Sequence, residues 1–202
     1  MTDAPQADTS RAEATRTRLL ESAVAAFAAK GYYGTTTRDI AAAAGMSPAA
    51  LYMHHKSKEE LLYVISRGGH EQILRLVVEA AAVDGTPAQR LYGLVHAFVS
   101  EHAGRPTVAR ILNYELAALS PEHLAEIRGI RRETENAVRA LVAEGVRSGD
   151  FDIRDLKMAV VAVLSLGIDI ARWYREGGDR SVVEVADQYA DMALRIVGAP
   201  PL

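Results

Sequence analysis

Residues 35–62, TTTRDIAAAAGMSPAALYMHHKSKEELL, predict two short helices, a tight turn between them, and the start of a third helix. Thr36 is placed to cap the first helix, because Asp39 follows three residues later in the reciprocal capping position. Gly45 ends that helix, since glycine accepts the left-handed backbone conformation that helix C-termini need. Ser47 caps the second helix, and a proline occupies its first turn. The sequence therefore predicts a helix-turn-helix.

The second of these helices is short and polar, and only Leu51 is expected to point inward. Small residues at its start permit close approach to a DNA groove, and polar side chains further along offer donors for phosphate oxygens. The candidate DNA-binding residues are Thr37, Arg38, Ser47, Pro48, Ala49, Tyr52, Met53, His54 and Lys58, with Lys58 as a phosphate anchor. A plain helical hairpin inside an all-α protein is the alternative, because motifs of this kind carry false positives.

The stretch resembles the DNA-binding domain of the TetR family of bacterial transcriptional regulators. The matching residues are Gly31-Tyr32-Tyr33-Gly34, Thr36-Thr37, Ile40-Ala41, Ala44-Gly45, Ser47, Leu51-Tyr52 and residues 56–61. The family commonly has an aromatic residue where His55 stands, so packing under the second helix is expected to differ. The resemblance implies a ligand-responsive repressor that binds a near-palindromic double-stranded DNA operator as a homodimer. The alternative function is a small-molecule-binding helical protein without a DNA function.

Charge is distributed unevenly along the 202 residues, although the formal net charge is only −3. Residues 11–58 carry seven Lys/Arg and three Asp/Glu, a balance of 7 − 3 = +4, so the remainder carries −3 − 4 = −7. A basic head on an acidic body suits one DNA-binding end and one end with another task. The chain has no cysteine, which excludes disulfides and thiolate metal sites. Because no leader sequence or membrane-length apolar run is found, we expect a soluble, cytoplasmic protein.

The capping and turn signals predict an all-α protein of about nine helices, without strands or repeats. We divide it into a disordered tail (residues 1–10), a helix-turn-helix DNA-binding domain (11–57) and a ligand-binding and dimerisation domain (58–202). The fourth helix begins at Lys58 and joins the two domains. Gly68 and Gly69 lie within it, and the pair predicts a kink.

The eighth predicted helix, about residues 155–175, is apolar nearly all round from residue 159 to 166, so it must be covered on several sides. A monomeric bundle and a two-fold dimer both provide that cover. The resemblance favours a dimer through the last two long helices. The candidate interface residues are Val160, Val163, Leu164, Gly167, Ile168, Ala171, Tyr189, Met192 and Ile196.

Enzyme signatures are missing from the sequence: it has no P-loop, H-E-x-x-H, G-x-S-x-G or dinucleotide-binding glycine pattern, and no metal or cofactor is predicted. The resemblance instead implies an effector cavity within about residues 87–175. Polar or aromatic residues that interrupt apolar faces are the candidate ligand contacts, namely His96, Arg110, Asn113, Asp169 and Trp173. Each has a structural alternative: Asp169 can form a surface pair with Arg172, Trp173 can fill the core, and His96 can be a partly buried histidine.

The C-terminal part is loosely similar to family members that regulate fatty-acid or steroid catabolism and respond to acyl-CoA thioesters. Such an effector would need an apolar tunnel with basic residues at its mouth, for which Arg105, Arg110 and Arg128 are candidates. An uncharged hydrophobic compound is the competing effector. His102 and His123 lie near predicted helix ends and are expected to be solvated.

Overall fold

The computed structural model describes the backbone of residues 4–200 and side chains from residue 12 onward. This part of the chain is all-α, as predicted, with nine α-helices, one short 3-10 helix and no strand. The helices are α1 (Ala4–Gly34), α2 (Thr37–Ala43), α3 (Pro48–His54), α4 (Lys58–Ala81), α5 (Pro87–Gly104), α6 (Pro106–Tyr114), the 3-10 helix (Leu116–Ala118), α7 (Pro121–Ser148), α8 (Leu156–Trp173) and α9 (Val182–Ile196). Across residues 4–200, no helix is both long and apolar enough to cross a membrane.

Helix α1 begins earlier than the sequence predicted. Its first residue is Ala4, so residues 4–10 are helical and not part of a disordered tail; residues 1–3 of that predicted tail lie outside the described residues. The helix is interrupted at Gly31, where φ is 68° and ψ is 167°. Glycine reaches this left-handed φ without strain, which agrees with the break predicted there.

Helices α1 to α3 form the head around a shared apolar core. The predicted caps of the helix-turn-helix are present: Thr36 Oγ1 accepts a hydrogen bond from the Asp39 backbone N–H at 3.1 Å, and Ser47 Oγ accepts one from that of Ala50 at 3.2 Å. The buried head residues include Leu19, Ala23, Phe27, Ile40, Ala41 and Leu51. Ile111, Leu119 and Ile127 of the body belong to the same buried cluster, so head and body share one core.

Helix α4 runs from Lys58 to Ala81 as one helix, so the kink predicted at Gly68-Gly69 is wrong. Gly69 allows α4 to approach α6 closely instead. A Cβ at that position would lie 2.4 Å from Cδ1 of Leu112, far inside van der Waals contact. The glycine thus serves packing between helices rather than a bend.

Helix α8 is covered mainly by its own subunit, because α5, α6, α7 and α9 all pack against it. Val160, Val163 and Ala171 are at most 3 % exposed, and a Cβ on Gly167 would lie 2.5 Å from the ring of Phe98. These four residues therefore face the internal core of the subunit, and this corrects their prediction as dimer-interface residues. Leu164 and Ile168 line a cavity in the body. On α9, Met192 is 42 % exposed, and Tyr189 and Ile196 are half-buried.

Candidate nucleic-acid interface and ligand cavity

The outer surface of the head presents α3 and the start of α2. Met53 is 86 % exposed and Tyr52 is 52 % exposed, and Pro48 and Ala49 at the start of α3 are exposed as well. Arg38 is exposed on α2. Helix-turn-helix proteins contact the major groove with a helix whose first residues are accessible to the bases, and side chains that donate hydrogen bonds follow along it.

The two helices of the motif are tied together by a side-chain contact. Thr37 Oγ1 and the Tyr52 hydroxyl lie 3.1 Å apart, at hydrogen-bond distance. The Ser47 hydroxyl accepts the capping hydrogen bond at the start of α3, and His54 is half-buried at the end of that helix. One further exposed aromatic residue was missing from the predicted set: Tyr33, 78 % exposed, follows the break in α1.

Lys58 has a different role from the phosphate anchor that the sequence predicted. Its Nζ donates to the backbone oxygens of Tyr32 and Thr35, both at 2.7 Å, and lies 4.1 Å from the centroid of the Tyr32 ring. Two of the three ammonium donors are thus used inside the protein. Lys58 fastens the start of α4 to the loop between α1 and α2.

His55, the departure from the family pattern, is buried beneath the end of α3. It is 6 % exposed, and neither ring nitrogen has a hydrogen-bond partner among the described residues. Burial lowers the pKa of His55, so the neutral ring is favoured. An aromatic hydrocarbon ring would fill this place without unpaired nitrogens.

A cavity of about 390 Å³ lies in the body, between α4, α5, α6, α7 and α8. Its volume falls in the range typical of sites for small organic ligands. Apolar side chains supply much of the wall, and basic side chains lie on the α7 side. The lining residues are His70, Ile73, Phe98, His102, Leu112, Asn113, Arg128, Arg131, Arg132, Thr134, Glu135, Val161, Leu164, Ser165 and Ile168.

The polar wall of this cavity is organised around Arg131. Its Nη1 donates to Asn113 Oδ1 at 3.2 Å and lies 3.3 Å from His70 Nε2. His70 Nδ1 lies 2.8 Å from the Ser66 carbonyl oxygen, which fixes Nδ1 as the donor and leaves Nε2 to accept. Burial lowers the pKa of His70 to about 4, so the ring is neutral at pH 7.

Two histidines depart from the predicted solvation. His102 is 6 % exposed, donates from Nδ1 to the Phe98 carbonyl oxygen at 2.8 Å, and has its pKa lowered by burial. His123 is half-buried and stacks on Tyr63 with ring centroids 3.7 Å apart. Its Nδ1 also lies 2.8 Å from Glu59 Oε1, which joins the start of α7 to α4.

Of the predicted ligand contacts, Asn113 lies in this cavity and the other four lie elsewhere. His96 Nε2 is 3.5 Å from Asp187 on the α5–α9 side, and Arg110 lines a second cavity of about 430 Å³ between α1 and α6. Asp169 forms the surface pair foreseen as its alternative, with contacts of 2.8 and 2.9 Å to Arg172. Trp173 is 40 % exposed at the end of α8.

The sequence did not predict that the buried His70 and His102 line the cavity, and the half-buried Arg131 stands among alternating charges that are typical of a solvated face. One signal for His70 was available: Leu62, Ser66 and Val77 are buried on the same helix at helical spacing, so His70 continues that stripe. Within residues 12–200, no three His, Asp or Glu side chains are grouped in a way that would hold a metal ion.

A head with an exposed helix-turn-helix and a body with a ligand-sized cavity define a ligand-responsive, DNA-binding transcriptional regulator. Comparison with known proteins agrees. Residues 19–65 match the model of the family described as bacterial regulatory proteins, tetR family, and residues 84–197 match the tetracyclin repressor-like C-terminal domain. The chain belongs to the TetR family. The alternative of a helical binding protein without a DNA function is therefore not retained.

Individual relatives cover nearly the whole chain. The HTH-type transcriptional repressor KstR2 of Rhodococcus jostii RHA1 is 31 % identical over 203 residues, 99 % of each chain. A bacterial regulatory protein of the tetR family from Rhodococcus RHA1, of known crystal structure, is 42 % identical with a TM-score of 0.88, over 93 % of this chain and 98 % of that one. The ketosteroid transcriptional regulator KstR2 of Mycobacterium tuberculosis is 27 % identical with a TM-score of 0.83, over 93 % and 95 %.

Proposed function

We propose that this protein is a cytoplasmic, homodimeric repressor that is released from a near-palindromic operator when an effector enters the cavity at Arg131. The observation that carries the proposal is the pairing of a correctly capped, exposed helix-turn-helix with a cavity lined by α4, the helix that leads directly from the head. Two relatives are named repressors, and the Mycobacterium tuberculosis protein is described as a ketosteroid regulator. These names support repression in response to an organic metabolite.

The proposed DNA contacts follow from exposure and chemistry. Pro48 and Ala49 approach base edges, and Met53 adds an apolar contact such as a thymine methyl group accepts. Arg38 pairs with a phosphate, and the Tyr52 hydroxyl, held near Thr37, donates to another. His54 lies at the margin of this surface and Ser47 supports it through the α3 cap, whereas Lys58 is not among the proposed phosphate contacts.

Dimerisation is proposed through the outer surface of α8 and α9. Trp173 and Tyr189 stack with ring centroids 6.3 Å apart, and the partly exposed Met192 and Val183 extend the apolar surface along α9. A two-fold dimer places two α3 helices to read half-sites about one turn of DNA apart, roughly 34 Å. Sedimentation velocity on Trp173→Glu and Met192→Glu should give monomers; unchanged dimers in both variants would contradict this surface.

The effector class is proposed from the cavity. Its apolar wall suits a hydrophobic group, and Arg128 with Arg132 supplies positive charge where an acyl-CoA thioester would extend outward. Of the three basic residues predicted for that role, Arg128 lies at this cavity and Arg105 and Arg110 do not. An uncharged hydrophobic effector is the second candidate, favoured by the neutral state of His70.

Binding to the DNA upstream of the protein's own coding region tests the proposal. We expect Arg38→Ala and Tyr52→Ala to raise the Kd measured by fluorescence anisotropy, each by about tenfold, because a charged phosphate contact contributes about 1.5 kcal/mol and a neutral one somewhat less. Arg147→Ala is the matched control, since this exposed arginine lies in the last turn of α7, in the body and outside the helix-turn-helix. Unchanged affinity in both head variants would refute the assigned contacts.

A further inference from the structure

Arg131 is a cation that has no acidic partner among the described residues. Its Nη1 contacts only the amide oxygen of Asn113 and the imidazole of His70, and no carboxylate among residues 12–200 forms an ion pair with it. Burial lowers the pKa of Arg131, yet a guanidinium stays protonated in proteins. The cavity therefore contains a half-buried positive charge that no described residue neutralises.

The donors of Arg131 are only partly used. Both contacts involve Nη1, so two of the five guanidinium N–H groups are engaged and three, on Nε and Nη2, are not engaged by any described residue. Nε and Nη2 share the edge that grips a carboxylate with two parallel bonds. Arg172 uses that same edge on Asp169, at 2.8 and 2.9 Å.

The surroundings do not neutralise this charge. His70 and His102 each donate from Nδ1 to a backbone carbonyl, and burial lowers the pKa of both, so they stand as neutral groups. Glu135, the one acidic residue lining the cavity, is paired with Arg139 one turn further along α7. A charge in such a site is costly unless it is paired.

Apolar side chains face the same space. Phe98 and Leu112 are less than 10 % exposed, and Ile73, Leu164 and Ile168 complete much of the wall. A ligand that fills the space and satisfies Arg131 must therefore combine a hydrocarbon body with an acid group. A plain alkyl chain would leave the guanidinium of Arg131 in contact with hydrocarbon. A ligand whose acid group stays at the mouth of the cavity would also leave Arg131 unpaired.

We propose that Arg131, supported by Asn113 and His70, is the seat for a carboxylate that the effector carries into the cavity. The ligand is a hydrophobic carboxylic acid, either free or as the far end of a dicarboxylic acyl thioester. This inference rests on the proposed effector role of the cavity and specifies its chemistry. It separates an acid-bearing effector from the simple acyl-CoA and the uncharged compound, neither of which places an anion at Arg131.

Four ten-carbon probes test the seat: decanoate, methyl decanoate, decanoyl-CoA and the CoA monothioester of decanedioic acid. Isothermal titration calorimetry on the full-length protein measures their Kd values. We expect decanoate to bind at least about tenfold more tightly than its methyl ester, and the dicarboxylic thioester to exceed decanoyl-CoA by a similar factor, as for a hydrogen-bonded charge pair. Comparing the two acids then identifies the free acid or the thioester as the source.

Arg131→Gln should abolish both preferences, for decanoate over its ester and for the dicarboxylic thioester over decanoyl-CoA. Arg131→Lys keeps the charge but loses the two parallel N–H donors of the guanidinium, so it should retain part of each preference. Arg147→Gln is the matched control, because this exposed arginine lies on the same helix but does not line the cavity, and its loss should leave the preferences intact. Circular dichroism and operator binding without ligand report whether each variant is folded. Equal binding of acid and ester by the unaltered protein, a preference that survives in Arg131→Gln, or no binding of either acid would overturn the seat.

Failure of the seat and failure of the effector role are distinguishable. Operator affinity is measured with each probe at saturation. Binding of the acids that depends on Arg131 but leaves operator affinity unchanged supports the seat and contradicts the proposed effector function. Release of the operator by methyl decanoate and decanoate alike, in both the unaltered protein and Arg131→Gln, supports the effector role and overturns the seat.

Discussion

Replacing Lys58 with methionine is expected to destabilise the head without removing a phosphate contact. Its Nζ donates to Tyr32 O and Thr35 O, both at 2.7 Å, and contacts the Tyr32 ring. A hydrogen bond from a charged group contributes about 1.5–3 kcal/mol, and a cation–π contact about 0.5–1 kcal/mol. Because water reaches this half-buried site and replaces part of the loss, we expect unfolding to become easier by about 2 kcal/mol. The Tm should fall by roughly 4–8 °C for a chain of this size.

The assay combines thermal denaturation with operator binding at several salt concentrations. A plot of the logarithm of the binding constant against the logarithm of the salt concentration has a negative slope, and each phosphate contact adds about 0.9 to its magnitude. Lys58→Met should lower the Tm and leave that slope unchanged, whereas Arg38→Gln, on the exposed face of α2, should lower the slope by about 0.9 and leave the Tm unchanged. A Lys58→Met protein with normal Tm and a slope reduced by about 0.9 would show that Lys58 is a phosphate anchor after all.

Three further experiments test the described packing. Because the pKa of His55 is lowered on folding, the folded head binds fewer protons than the unfolded chain below about pH 6.5 and loses stability as the pH falls. His55→Phe should stabilise the head by about 1–3 kcal/mol at pH 7, because it removes two unpaired nitrogens, and by more at pH 5.5. Urea midpoints at the two pH values measure the gain. An equal gain at both would contradict the role assigned to protonation of His55. Gly167→Ala places a Cβ 2.5 Å from the Phe98 ring and should cost about 1–3 kcal/mol, so an unchanged urea midpoint would mean that the helices separate freely. Glu59→Ala and His123→Ala should show a coupling energy of about 0.5–3 kcal/mol in a double-mutant cycle, whereas strictly additive losses would deny their contact across α4 and α7.

The features that the sequence predicted well are local. The caps at Thr36 and Ser47 accept the backbone hydrogen bonds expected of them, because capping depends on residues three positions apart. Helix order followed from these signals and from glycine and proline at the breaks. The exposure of Met53 followed in turn from a short, polar helix with a single inward residue, Leu51.

The features that the sequence predicted poorly depend on contacts between distant segments. Arg131 lies among alternating charges on α7 and looks like part of a solvated face, yet its partners come from α4 and α6, 61 and 18 residues away. Lys58 looks like a free cation until the end of α1 at Tyr32 and the residues that follow it are folded against it. The apolar run of α8 was consistent with a dimer or a bundle, and only the packing of α5, α6, α7 and α9 against it decides that much of it is internal.

Helix α4 is the element through which the cavity and the head can influence each other. His70, twelve residues from Lys58, lies about 18 Å along the helix from it at 1.5 Å per residue, and the helix between them is uninterrupted. A ligand that binds Arg131, which contacts His70, therefore acts on a continuous helix whose other end is fixed to the head. Reversing a 1:99 equilibrium needs about 5.5 kcal/mol of differential affinity. At about 25 cal/mol per Å², this corresponds to roughly 220 Å² of apolar surface buried in one state and not in the other. The proposed acid pair at Arg131 reduces that requirement to the extent that its hydrogen bonds form in one state and not in the other. An effector of modest size then suffices to move the two heads of the proposed dimer out of register with the DNA.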